Sequence, residues 1–170
     1  MNSSGVQIAV VGGAECDQET AAQAFEVGRC LARRGAVLLC GGRGGVMERA
    51  AAGARSEGGL TIGLLPGQGP RQSPPNSSID LALYTGLGQA RNLVLVLSAA
   101  AIIAIGGGWG TLSEIALALK HRRPVVLLGS WHLERPDRRS EPLLGEAGSA
   151  SEAVDRALAA AGALPEELSS

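Results

Sequence analysis

Short apolar runs that break off into clustered glycines constrain this chain more than any other feature. Gln7 to Val11 ends in Gly12-Gly13, and Ala36 to Cys40 runs into Gly41-Gly42-Arg43-Gly44-Gly45. Ala100 to Ile105 ends in Gly106-Gly107-Gly108-Trp109-Gly110-Thr111. Each run is strand-length and almost wholly apolar, the pattern of a strand covered on both faces. Leu60 to Leu65, Ile79 to Thr85 and Pro124 to Leu128 add three more expected strands.

Helical patterns lie between the runs. Asp17 opens one whose Ala21, Ala24, Phe25, Gly28, Leu31 and Ala32 share a face, and Gly35 closes it as a C-cap glycine. Others are expected over about Val46 to Ser56, Leu87 to Ala99, Leu112 to His121 and Ser151 to Ala161. Residues 66–78, rich in Pro, Gly, Gln and Ser, read as a surface loop near the site, and 131–148 as irregular. Strands alternating with helices define the α/β class: a Rossmann-like, doubly wound parallel sheet. One domain over residues 1–170 is expected, with 1–5 and 165–170 as loose ends. Parallel strands end on one edge, and ligands of such sheets sit beyond that edge near the switch in strand order. All three glycine clusters therefore face one place.

Totals narrow the partners. Lys and Arg number 15 against 16 Asp and Glu, and aromatics are 2%, so neither a polyanion-binding surface nor a stacking platform for single strands is present. No nucleic-acid partner is expected. No apolar stretch reaches a bilayer span, so no membrane partner is expected either. Cys16, Cys30 and Cys40 are odd in number and scattered, which speaks against a disulfide framework and for a reducing, cytoplasmic setting. His121 and His132 have no partner at metal-ligand spacing, and no metal is expected. Phosphate affinity must then be local, built from backbone amides and one or two arginines.

The candidate residues follow. Gly106, Gly107, Gly108 and Gly110 let the backbone turn tightly and bring amides and a helix N-terminus to one point, with the Thr111 hydroxyl as a further donor. Glu114 stands three residues after Thr111, so it is open between a reacting carboxylate and the second half of a capping box. Gly41, Gly42, Gly44 and Gly45 surround Arg43, which is free to pair with an anion. Gly12 and Gly13 form a weaker loop: the third glycine of the dinucleotide fingerprint is missing, and Cys40 stands where that fingerprint has an acid. Arg91 and Asn92 begin the helix before the fifth strand, where an arginine can neutralise a phosphate ester or stabilise a leaving group.

With these residues in place the chain resembles the LOG-like superfamily, long labelled as putative lysine decarboxylases. The resemblance spans about Gln7 to Leu128 and rests on Leu31-Ala-Arg-Arg-Gly35, Gly41 to Glu48, Gly58-Gly59, Gly63-Leu-Leu-Pro66, Arg91-Asn92 and Gly106 to Glu114. It implies cleavage of a nucleoside 5′-monophosphate to base and ribose 5-phosphate, with Arg91 and Glu114 catalytic and no cofactor required. Gly106, Asn92 and Ser113 depart from the hydrolase pattern, and the forms Gly-Gly-Arg-x-Gly-Val-Met-Glu, Arg-Asn and Gly-Gly-Gly-x-Gly-Thr look closer to the molybdenum cofactor carrier branch. That branch implies a non-catalytic alternative, in which the same loops hold a phosphorylated pterin. The resemblance also implies a homodimer or homotetramer.

Overall fold

A computed structural model of the chain describes residues 5–137 and 139–163. The expected loose ends, Gly5 apart, lie outside this range. Seven parallel strands form one sheet: β1 (Gln7–Gly12), β2 (Val37–Cys40), β3 (Thr61–Leu65), β4 (Leu81–Tyr84), β5 (Ala101–Ile105), β6 (Val125–Leu128) and β7 (Leu144–Ala147). The helices are α1 (Gln18–Arg33), α2 (Val46–Ser56), α3 (Arg91–Ser98, after a short turn at Gly88–Ala90), α4 (Trp109–Lys120) and α5 (Ala150–Gly162).

The strand order is β4-β3-β2-β1-β5-β6-β7. The chain lays down β1 to β4 in one direction, then crosses back to place β5 on the free side of β1. The switch point therefore falls between β1 and β5, where Ile8 to Gly12 pair with Ala101 to Ile105. This is the Rossmann-like α/β fold that the alternation of runs and helices implies.

Strand alternation sorts the core into two layers. Ile8, Val10, Leu38, Ile103, Ile105 and Val126 pack against α1, α2 and α5. Ala9, Val11, Leu39, Leu64, Ile102 and Leu127 pack against Leu95 and Val96 of α3 and Ile115 and Ala118 of α4. The helices α1 and α2 approach backbone to backbone, since a Cβ on Gly28 would overlap the Ala50 carbonyl and one on Gly53 the Phe25 carbonyl. Local signals set the α1 ends: the Asp17 carboxylate accepts from the Thr20 amide at 2.8 Å, and Gly35, at φ +71°, donates to the Ala32 carbonyl.

Two expectations need correction. Residues 131–148 are not irregular throughout, because Leu144 to Ala147 pair with Val125 to Leu128 as the edge strand β7. Leu-Gly-Glu-Ala carries no β-branched residue, so pairing rather than propensity makes the strand. The fourth helix begins at Trp109 rather than Leu112, with Gly108 as its N-cap. Residues 66–80 cross from β3 to β4 without a helix, as a loop was expected to.

Candidate functional site

The order of strands sets three glycine loops side by side: Gly12-Gly13 after β1, Gly41 to Gly45 after β2, and Gly106 to Gly108 after β5. The first two interlock. The Val46 amide donates to the Gly13 carbonyl at 3.0 Å, and Gly45 adopts φ 63°, ψ −130°, a conformation only glycine takes readily. No side chain caps α2, so its first amides remain directed at the loop edge. Asn76 secures the loop from the other side: its amide donates to the Gly42 carbonyl at 2.9 Å and its Nδ2 to the Arg43 carbonyl at 2.7 Å. The Cys40 Sγ accepts from the Gly42 amide at 3.3 Å, and burial pushes this thiol up to about 11.

The third loop opens α4 in the same way, with no side-chain cap. Thr111 is the third residue of the helix rather than its N-cap, so the capping box open in the sequence does not form. Its side chain is buried beneath Gly107. The residues after β6 hold the loop from outside. Ser130 Oγ donates to the Gly106 carbonyl at 2.6 Å, and Trp131 Nε1 donates to the Gly108 carbonyl at 3.3 Å. The Trp131 ring also packs on Trp109, centroids 5.3 Å apart and planes tilted by 40°.

Beneath the loops lie two buried charged residues, Arg91 from the first turn of α3 and Glu114 from α4, 9% and 8% exposed. The Arg91 guanidinium sits where a side chain on Gly41 would go, so a larger residue there must displace the arginine head or the Met47 thioether. Its Nη1 is one of two buried polar atoms without a hydrogen-bond partner among the described residues, the other being Arg123 Nε. Arg123 still donates through Nη2 to the Leu97 carbonyl, whereas the Arg91 side chain makes no hydrogen bond or ion pair among the described residues. Desolvation pulls its pKa down, the Glu114 charge opposes this, and the nearby Arg43 charge adds to it. Desolvation drives Glu114 up to about 7, against the pull of Arg91. A carboxyl titrating near neutrality beside a fixed positive charge is able to exchange protons or to face developing positive charge.

The structure thus gathers Gly12, Gly13, Gly41, Gly42, Arg43, Gly44, Gly45, Arg91, Gly106, Gly107, Gly108, Gly110, Thr111 and Glu114 around one edge of the sheet. Asn92 is half-buried beside Arg91, with no hydrogen bond of its side chain among the described residues. A cavity of about 400 Å³ adjoins the second loop, between Arg43, Gly44 and Glu48 on one side and residues 72–76 on the other, with Leu65 on its wall. Three neighbours of the site carried no signal that singled them out, Asn76, Ser130 and Trp131, and Glu48 was marked only as the end of the Gly41 to Glu48 segment. Asn76 follows two prolines, a turn context that marks a loop without revealing which loop it anchors. Among the described residues no group of His, Cys, Asp and Glu has the arrangement of a metal site. No described helix is long and apolar enough to cross a membrane.

Fold and site together define a Rossmann-like domain with three glycine loops converging on the switch point. The chain belongs to the SLOG cluster4 family, whose model matches residues 5–160. It is similar to the molybdenum cofactor binding protein of Rippkaea orientalis, at 38% identity and a TM-score of 0.81, over 91% of this chain and 96% of that one. The Moco carrier protein of Chlamydomonas reinhardtii is alike at 36% identity and TM-score 0.81, over 94% and 99% of the two chains. A cytokinin riboside 5′-monophosphate phosphoribohydrolase of Mycobacterium tuberculosis is 30% identical over 64% of this chain and 62% of that protein.

Proposed function

We propose that this protein binds a phosphorylated, heterocyclic small molecule, its phosphate held by Arg91, Arg43 and the glycine loops. One observation carries the reading: Arg91 is buried with an Nη1 that no group accepts among the described residues. Burying a guanidinium costs several kcal/mol unless an opposite charge meets it. Here the Glu114 charge offsets that cost only in part, since desolvation pushes its carboxyl up to about 7, and the neighbouring Arg43 adds like charge. A phosphate dianion would reverse that balance. The uncapped first turns of α2 and α4 add amide donors aimed at the same edge.

The ligand proposed is a phosphorylated pterin of the molybdenum cofactor kind, because the likeness to carriers of that cofactor covers more of the chain at higher identity than the likeness to the phosphoribohydrolase. The chain's own part is to bind: loops and arginines for the phosphate, and the cavity beside Arg43 for bulk. A homodimer or homotetramer belongs to the same reading. Exposed Leu81 and Leu83 of β4 and Leu87, Val94 and Leu97 around α3 support it, and light scattering would test it.

Glu114 favours a second reading, phosphoribohydrolase activity without a cofactor. Its placement near pH 7 suits a carboxyl that stabilises an oxocarbenium-like ribosyl centre or takes a proton from attacking water. The C1′–N bond would break, water would supply the hydroxyl at C1′, and its proton would pass to the departing base. The experiment is incubation with molybdenum cofactor released from a donor protein and, separately, with AMP and GMP. Cofactor retained through gel filtration with no free base supports the carrier. Base and ribose 5-phosphate released by the native protein and not by Glu114→Gln establish the hydrolase.

A further inference from the structure

The cavity beside the second loop holds a feature that phosphate binding does not use. Glu48 lies in the first turn of α2, half-buried on the cavity wall, and its side chain makes no hydrogen bond or ion pair among the described residues. The other polar groups around the cavity are largely committed. Asn76 donates to the Gly42 and Arg43 carbonyls and accepts from the Ser78 amide. Ser73 Oγ accepts from the Gly67 amide, and Gln72 Oε1 from the Gln68 amide. With Arg43 on the phosphate, what remains for a ring is an acceptor pair on Glu48, donors on the Gln72 amide nitrogen and the Ser73 hydroxyl, and the apolar face of Leu65.

That inventory fits one kind of ring edge. A 2-amino-4-oxopyrimidine, the ring shared by pterins and guanine, presents an exocyclic N–H and a ring N–H side by side, with a carbonyl next to them. A carboxylate accepts both N–H groups at once, as it does from a guanidinium. The Gln72 amide nitrogen or the Ser73 hydroxyl is left to donate to the carbonyl. An adenine ring offers an unprotonated nitrogen beside its amino group, and that lone pair would face the carboxylate. The cavity volume of about 400 Å³ lies in the range of small-ligand pockets.

We propose that this cavity is the heterocycle subsite and that Glu48 selects a 2-amino-4-oxopyrimidine ring over an adenine-type ring. The inference rests on the reading that the phosphate sits at Arg91 and the glycine loops, since only then does a tethered ring fall beside Arg43.

Calorimetric titration with GMP, AMP and ribose 5-phosphate, which has no ring, separates the two claims. In the native protein GMP binds at least tenfold more tightly than AMP. Glu48→Gln loses at least tenfold in GMP affinity and brings the GMP-to-AMP ratio near one, with its folding checked by circular dichroism. Equal affinity for GMP and AMP in the native protein, or a preference that survives Glu48→Gln, overturns the subsite while ribose 5-phosphate binding leaves the phosphate reading standing. If none of the three ligands binds, both claims fall. Should Glu48→Gln fold poorly, Glu48→Ser and Gln72→Ala repeat the comparison, and an unchanged ratio in both is equally fatal.

Discussion

The Arg91 guanidinium occupies the space that a side chain on Gly41 would need, so the start of the loop after β2 and the first turn of α3 share one pocket. The glycine there is a steric requirement of the buried arginine, and any larger residue must move one or the other.

Gly41→Ala is therefore expected to push Arg91 out of register. Overpacking of a dense core costs about 1–3 kcal/mol. Affinity for a phosphate ester should fall by at least tenfold, read by calorimetry with GMP, alongside a lower denaturation midpoint. A variant of native affinity and stability would show that the two do not compete for space.

Glu114 ties stability to pH. Its folded pKa, about 7, lies above the ordinary carboxylate value of 4.5, so the folded state holds the proton more tightly than the unfolded chain. The contribution is fully present below about pH 4.5 and is lost as pH rises through 7, to the extent of up to about 3 kcal/mol. Glu114→Gln removes that loss, and urea melts at pH 5 and pH 8 should show the variant gaining on the native protein only at the higher pH.

Ser130 and Trp131 hold the third glycine loop by its carbonyls. Ser130→Ala removes the 2.6 Å bond to Gly106 and should cost about 1 kcal/mol. Hydrogen exchange at Gly106, whose amide donates to the Leu128 carbonyl, should accelerate, whereas exchange within the β1 and β2 amides stays slow.

Thiol reactivity should divide the three cysteines. Cys16 is exposed, Cys30 is buried with its pKa raised mainly by desolvation, and Cys40 is buried with its thiol pushed up to about 11. Since the thiolate is the reactive form, a disulfide reagent at pH 8 should label Cys16 at once and Cys40 only on unfolding. Rapid labelling of Cys40 in the native protein would show that the second loop opens.

Much of this arrangement was legible in the sequence because it depends on short-range pattern. Short apolar runs mark six of the strands, three of them breaking off into clustered glycines, Asp17 and Gly35 mark the ends of α1, and parallel order alone brings the glycine loops to one edge. The rest depends on contacts distant in sequence. Leu144 to Ala147 becomes a strand only because β6 offers a free edge, and its glycine and glutamate argue against it locally. Thr111 and Glu114 match a capping box, but the backbone starts the helix at Trp109 and leaves Glu114 buried beside Arg91. Asn76, Ser130 and Trp131 bind loops 23 to 34 residues away, which no local motif announces.

The most direct test of the phosphate site is Arg91→Met, followed for both stability and binding. Methionine approximates the arginine's stem and removes a buried charge that makes no hydrogen bond or ion pair among the described residues. Replacing such a charge by an apolar side chain is often stabilising, by about 1–4 kcal/mol. The expected result is a higher denaturation midpoint together with at least a hundredfold loss of GMP or molybdenum cofactor affinity. A destabilised variant that still binds either ligand at native strength would contradict the site, leaving Arg91 as a support of the fold.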